Sequence, residues 1–137
     1  MEGVQYLKAG TYPFHCTLHA AMTGTLTVTS AGTPVPRPQI AVAIKSSKLA
    51  TVRKSGVLKT RVSDSGSDAV VDLVALVGTK KLGHVSQVDV ATGATEPVSL
   101  KLSASGKKAL KGRSTATVKL EGTVAFGKPD AASAKLK

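Results

Sequence analysis

The sequence has a single cysteine, Cys16, no tryptophan, and aromatic residues at only 3% of its 137 positions. One cysteine excludes an intramolecular disulfide and any zinc site built on Cys-x-x-Cys. With so few rings, a core has to be made of Val, Leu, Ile and Ala. The basic surface also lacks the interleaved aromatics on which bases stack, so nucleic acid is not an expected partner. No apolar run approaches the roughly 20 residues that span a bilayer, and no membrane span is expected. The opening residues, Met1-Glu2-Gly3-Val4-Gln5, have neither the basic start nor the apolar stretch of a signal peptide. Acidic residues are scarce too: 8 Asp and Glu stand against 19 Lys and Arg, for a net charge of +11.

That charge is unevenly placed. Residues 1–36 carry only Glu2 and Lys8 and sum to zero, so residues 37–137 hold the other 18 Lys and Arg, the other 7 Asp and Glu, and the whole excess. Two parts of different character are expected. The lysines of the second part are dispersed. They read as the solvated surface of a β-domain, or as a face that meets an anionic surface polymer.

Hydrophobic residues at 42% are enough for a core, and a composition rich in Thr, Ser, Val, Gly and Ala favours short strands over long helices. Residues 11–16 read as a strand, 17–22 as a short loop, and 23–30 (TGTLTVTS) as a half-buried strand. In the last, Leu26 and Val28 lie on one face and Thr25, Thr27 and Thr29 on the other. Residues 31–38 (AGTPVPRP) form the clearest boundary in the chain, because prolines at this density make a stiff, extended connection.

Beyond it, strand-like runs recur at the spacing of a sandwich: 39–45, 57–63, 68–77, 81–91, 96–103, 114–126 and 132–136. The run 68–77 (DAVVDLVALV) is the most apolar and reads as a central strand. In 114–126 the alternation sets Val118, Leu120, Val124 and Phe126 inward. Residues 46–56 and 103–112 read as short helices, each opening on a serine N-cap (Ser46, Ser103) and closing on a glycine (Gly56, Gly112).

One segment points to chemistry. Cys16, His19 and Met22 place a thiolate, an imidazole and a thioether within residues 16–22. Those are three of the four ligands of a blue-copper site, which is a trigonal His₂Cys set with a weak axial Met. A loop between two strands can bring all three to one point, while regular strand alternation turns His15 away from it.

The stretch Gly10-Thr11-Tyr12-Pro13-Phe14-His15-Cys16-Thr17-Leu18-His19-Ala20-Ala21-Met22-Thr23-Gly24-Thr25-Leu26-Thr27-Val28 resembles the C-terminal end of a cupredoxin of the plastocyanin, amicyanin and pseudoazurin group. That end has an aromatic-rich strand closing on Cys, then Cys-x-x-His-x-x-Met, then a Gly and a last strand. The resemblance covers about residues 3–30. It implies copper as cofactor, Cys16 as thiolate ligand, His19 as the exposed imidazole through which electrons leave, and Met22 as axial ligand. It also implies a redox partner protein and a secreted, periplasmic or cell-surface location. The family's first histidine ligand lies tens of residues before the cysteine, and only His15 precedes Cys16 here. The chain is therefore expected to be the tail of a longer reading frame, with Met1 an internal or misassigned start.

Residues 38–137 resemble, more loosely, the Ig-like sandwich modules that end many secreted bacterial proteins. The likeness lies in Leu49-Ala50-Thr51-Val52-Arg53-Lys54-Ser55-Gly56-Val57 and in Val98-Ser99-Leu100-Lys101-Leu102 followed by Gly106-Lys107-Lys108-Ala109-Leu110. This pattern carries no site. Asp64, Asp68, Asp72, Asp89 and Asp130 read as turn and strand-edge residues, and His84 as a surface or half-buried histidine. The segment 64–68 (DSGSD) lacks the further ligands and the Glu of a calcium hand. Gly78-Thr79-Lys80-Lys81 lacks the leading glycines of a phosphate loop. No Ser-His-Asp set can be argued, and no enzyme is expected.

The expected architecture is all-β: a truncated cupredoxin β-hairpin (1–30), a Pro-rich linker (31–37) and an Ig-like antiparallel β-sandwich (38–137). Two functions fit it. One is copper binding and electron transfer. The other is a non-catalytic surface or binding module in which the copper motif is vestigial.

Overall fold

A computed structural model of the protein describes residues 3–19 and 21–137. Met1, Glu2 and Ala20, and with them the expectation attached to Met1, lie outside the described residues. The chain divides into two units, Met1–Pro36 and Arg37–Lys137.

The first unit opens with a 3₁₀ turn at Val4–Tyr6 and continues as a two-stranded antiparallel hairpin, β1 (Gly10–His15) with β2 (Thr23–Val28). The register runs from Gly10 opposite Val28 to His15 opposite Thr23. On β2, Gly24, Leu26 and Val28 are half-buried while the threonines between them are exposed, which is the period of 2 read from the sequence. Phe14 faces Gly24, and a Cβ on Gly24 would stand 2.5 Å from the Phe14 ring. The ring therefore covers the bare backbone of its cross-strand partner. No described residue in 3–36 is fully buried.

The second unit contains β3 (Gln39–Ile44), α1 (Leu49–Ser55), β4 (Val57–Ser65), β5 (Ala69–Val77), β6 (Lys80–Val90), β7 (Thr95–Lys101), α2 (Ala104–Leu110), β8 (Ala116–Val124) and β9 (Asp130–Leu136). Its strands form two antiparallel sheets, β3-β4-β7 and β6-β5-β8-β9. The chain changes sheet between β4 and β5, between β6 and β7, and through α2 between β7 and β8. With β3 to β5 as strands A, B and C, β6 takes the C′ position beside C, and β7 to β9 are E, F and G. This is an Ig-like sandwich.

Alternation builds the core. Leu58, Thr60, Val62 and Asp64 of β4 face in, as do Val71, Leu73 and Ala75 of β5 and Val118 and Leu120 of β8. Each fully buried leucine contributes about 1.5–3 kcal/mol. β5 is the central strand that its apolar run predicts, paired on both sides by β6 and β8.

Both helices pack one stripe on this core: Leu49 and Val52 from α1, Gly106, Ala109 and Leu110 from α2. Ser103 caps α2 as expected, accepting the Gly106 N–H at 3.0 Å. Ser46 does not cap α1. The N-cap is Lys48, without a side-chain bond, and the Ser46 hydroxyl accepts the Lys59 N–H of β4 at 2.9 Å instead. Phe126 also departs from expectation. β8 ends at Val124, and Phe126 sits at φ 64°, 40% exposed, with its carbonyl accepting from Arg37 at 3.1 Å. The turn into β9 rotates its ring off the inward face.

Candidate metal centre

β1 ends at His15, and Cys16 begins the loop to β2. Two backbone bonds close that loop. The Cys16 N–H donates to the Met22 carbonyl at 2.8 Å, and the Met22 N–H donates to the His19 carbonyl at 2.9 Å. At the other end of β1 the Tyr12 hydroxyl donates to the Lys8 carbonyl at 2.8 Å. The three residues that the sequence singles out are thus tied to one another through their backbones.

The side chains of two of them meet. Cys16 Sγ and His19 Nδ1 stand 3.9 Å apart, with Cys16 half-buried and His19 exposed. A thiolate at about 2.3 Å and an imidazole at about 2.0 Å from one ion, roughly 120° apart, stand about 3.7 Å from each other. The observed separation therefore fits two ligands of a single metal. The Met22 side chain is 61% exposed at the rim of the same loop. His15 is exposed opposite Thr23. Among the described residues no group of three or more His, Cys, Asp or Glu is placed to hold a metal, and the candidate donors in this loop are the Cys16 thiol, the His19 imidazole and the Met22 thioether.

The aspartates of the sandwich serve the backbone. Asp68 Oδ1 accepts from the N–H and hydroxyl of Thr92 at 2.8 and 2.9 Å, Asp72 Oδ1 from the Gln87 N–H at 2.9 Å, and Asp130 Oδ2 from the Val42 N–H at 2.9 Å. The bonds to Thr92 hold the Asp68 carboxyl below its usual range. Asp64 differs. It is 4% exposed; Oδ1 accepts from the Gln39 N–H at 3.1 Å, and Oδ2 has no partner. Burial, helped by the nearby Asp68 charge, raises its pKa against the pull of the Gln39 and Ser65 N–H groups. His84 is exposed on β6.

Convergence of the dispersed lysines is not readable from their spacing. They converge at the end of the sandwich where α1, α2 and the start of β6 meet. One groove between the helices is walled by Arg53, Lys54, Lys107, Lys108 and Lys111. A second, on the other side of α2, is lined by Lys80, Lys81 and Lys108. The only local signal was lysine or arginine in the last turn of both helices.

No family model matches the chain, and no curated protein matches it. Among solved structures, it is similar to the ligand-binding region of serine-glutamate repeat protein A of Enterococcus faecium. The identity is 12% and the TM-score 0.38, over 71% of this chain and 89% of that one. It is also similar to a superoxide reductase (neelaredoxin) from Ignicoccus hospitalis, with 14% identity and a TM-score of 0.36, over 74% of this chain and 79% of that one. No helix among the described residues is long and apolar enough to cross a membrane.

Proposed function

We propose that the hairpin carries the cysteine end of a blue-copper electron-transfer site and that the sandwich is its non-catalytic companion module. The observation that supports this most directly is the Cys16–His19 separation of 3.9 Å inside a loop closed by backbone bonds. Cys16, His19 and Met22 would hold copper, which when bound supplies one-electron exchange between Cu(I) and Cu(II). The Cys16 N–H bond to the Met22 carbonyl keeps the sulfur and the thioether on the same loop. The exposed His19 ring offers a redox partner protein a point of contact. A second imidazole has to come from outside residues 16–22. The compartment that goes with this reading is extracytoplasmic.

Cu(II) titration of the full chain, with and without free imidazole, tests it. A thiolate-to-copper charge-transfer band in the visible that imidazole strengthens, and that Cys16→Ser removes, is expected. No band under either condition overturns the copper reading for this chain.

The cation-walled grooves favour a second reading, a surface-binding module in which the copper motif is vestigial. Normal polymer binding without any copper band would select it.

A further inference from the structure

We infer that the α1–α2 end of the sandwich binds a linear phosphate polymer. The inference rests on the sandwich as a binding module and is independent of the copper reading.

Three stretches far apart in sequence build the surface. α1 contributes Arg53 and Lys54, the start of β6 contributes Lys80 and Lys81, and α2 with its C-cap contributes Lys107, Lys108 and Lys111. Lys108 lines the grooves on both sides of α2, so the two form one track across the helix. A third groove, on the far side of α1, continues it with Lys45, Lys48 and Lys59. No Asp or Glu lines any of the three, and none occurs in residues 45–59, 77–82 or 100–116.

Asp72 and Glu121 sit mid-strand in β5 and β8, and the other five acids of the unit lie elsewhere: Asp64 at the C-terminal end of β4, Asp68 just before β5, Asp89 near the end of β6, Glu96 near the start of β7, and Asp130 at the start of β9. In these antiparallel sheets those positions share the opposite end of the sandwich, as the pairings Ala69 with Val90 and Ser63 with Thr95 show. The unit is therefore polarised along its strands. None of the cations of the α1–α2 end is ion-paired among the described residues. Arg53 Nη1 donates to the Arg113 carbonyl at 3.4 Å, and Arg113 Nε to the Ala109 carbonyl at 2.8 Å, so two guanidiniums are gathered with no carboxylate between them. Like charges held this close raise the local potential and favour a multivalent anion.

The shape and chemistry narrow the anion. The groove between the helices measures about 510 Å³ and has Ala50, Leu102 and Leu110 along it, room for a slender chain rather than a duplex. No aromatic residue lines the three grooves, so nothing there stacks a base. The large exposed apolar side chains of the sandwich unit, Val70 and Phe126, belong to neither helix nor the start of β6, so this end of the unit offers none to insert into a lipid interface. Lysine predominates. Its compact ammonium binds phosphate oxygens as a point charge, without the fixed geometry of an arginine fork.

The test is fluorescence anisotropy of the full chain with inorganic polyphosphate of defined length, across a salt series. Neutralising five phosphates gives a log–log slope of about −3.5, a loss of about 100-fold between about 50 and 200 mM salt. The triple variant Lys107→Gln, Lys108→Gln, Lys111→Gln changes three exposed side chains and should flatten that slope by about 2. The triple Arg37→Gln, Arg61→Gln, Lys128→Gln changes exposed residues of the same unit that line none of the three grooves, has the same net charge and should stay within about twofold of the parent. If the first triple does not fold, Arg53→Gln with Lys54→Gln tests the opposite wall of the groove. Equal losses from both triples would reduce the effect to net charge and overturn the site. Tighter binding at matched salt to heparin, duplex DNA or anionic vesicles would overturn the phosphate assignment. Neither result bears on the copper band.

Discussion

Replacing Gly106 by alanine sets two known effects against each other. Gly106 lies inside α2, where alanine favours a helix by about 1 kcal/mol over glycine. Helix propensity alone therefore predicts a more stable protein. But α2 lies directly on β6: a Cβ at position 106 would stand 2.1 Å from the Leu82 carbonyl oxygen and 2.8 Å from its carbon. A comfortable carbon–oxygen contact is about 3.3 Å, so helix and strand have to part by about 1.2 Å. Both sides of the clash are backbone, and no side chain can rotate away. The same movement lengthens the Ser103 N–H bond to Leu82, now 2.8 Å, and the Ser103 hydroxyl bond to the same oxygen, now 3.2 Å. Overpacking of this kind costs about 1–3 kcal/mol or more, and each weakened hydrogen bond adds about 1 kcal/mol. Sterics outweigh propensity, and the expected net loss is about 2–4 kcal/mol. For a domain of this size that lowers Tm by about 10–20 °C. Urea unfolding followed by far-UV circular dichroism measures it, with the exposed substitution Lys108→Ala in the same helix expected within about 0.5 kcal/mol of the parent. A Gly106→Ala protein as stable as the parent, or more so, would refute the seating of α2 on Leu82. Because the substitution also displaces α2 without changing charge, it should weaken polyphosphate binding.

Asp64 and Ser103 give further tests. The folded-state pKa of Asp64 is raised, by burial first and by the Asp68 charge second, so the folded protein holds that proton more tightly than the unfolded chain. Its contribution is fully present below the unfolded value of 3.8 and is lost as pH rises through the folded value. Asp64→Asn keeps the acceptor for the Gln39 N–H and removes the charge. The decline in urea midpoint from about pH 4 upward should therefore flatten, and an unchanged profile would sink the argument. Asp68 has the opposite sign: its pKa is lowered by Thr92, so its contribution is present above the unfolded value and fades in acid. Ser103→Ala removes the α2 cap and should cost about 1 kcal/mol. Ser46→Ala removes a bond to β4 rather than a cap, and should leave helix content by circular dichroism unchanged.

The alternation that marks β4, β5, β7 and β8 was legible because one face of each strand meets the core, and a period of 2 survives in the sequence wherever that holds. The exceptions come from contacts that pattern cannot carry. The DSGSD segment reads as a turn, yet β4 runs on through Ser65, and the register that buries Leu58 and Val62 carries Asp64 inward with them. Residues 46 and 103 are serines at the head of similar frames, but only Ser103 caps. Ser46 has been captured by the N–H of Lys59, a partner whose proximity depends on how β4 returns beside α1. Phe126 continues an apolar alternation past the point where the strand stops, and a positive φ turns it outward.

The two candidate sites differ in where their geometry comes from. Cys16, His19 and Met22 lie within one loop, so their convergence was readable from spacing, and backbone bonds inside that loop hold it. The hairpin beneath has no fully buried described residue, and a two-stranded hairpin alone is marginally stable. A metal bound there has to supply part of the free energy that orders its own ligands. The cation track is the converse. Its residues come from three stretches that no local pattern links, but α1 and α2 are anchored by Leu49, Val52, Ala109 and Leu110 in the core. Helices packed on the core in this way leave a ligand less backbone to order on binding. The site that could be read from spacing therefore depends most on its ligand for order, while the site assembled by tertiary packing stands ready-made.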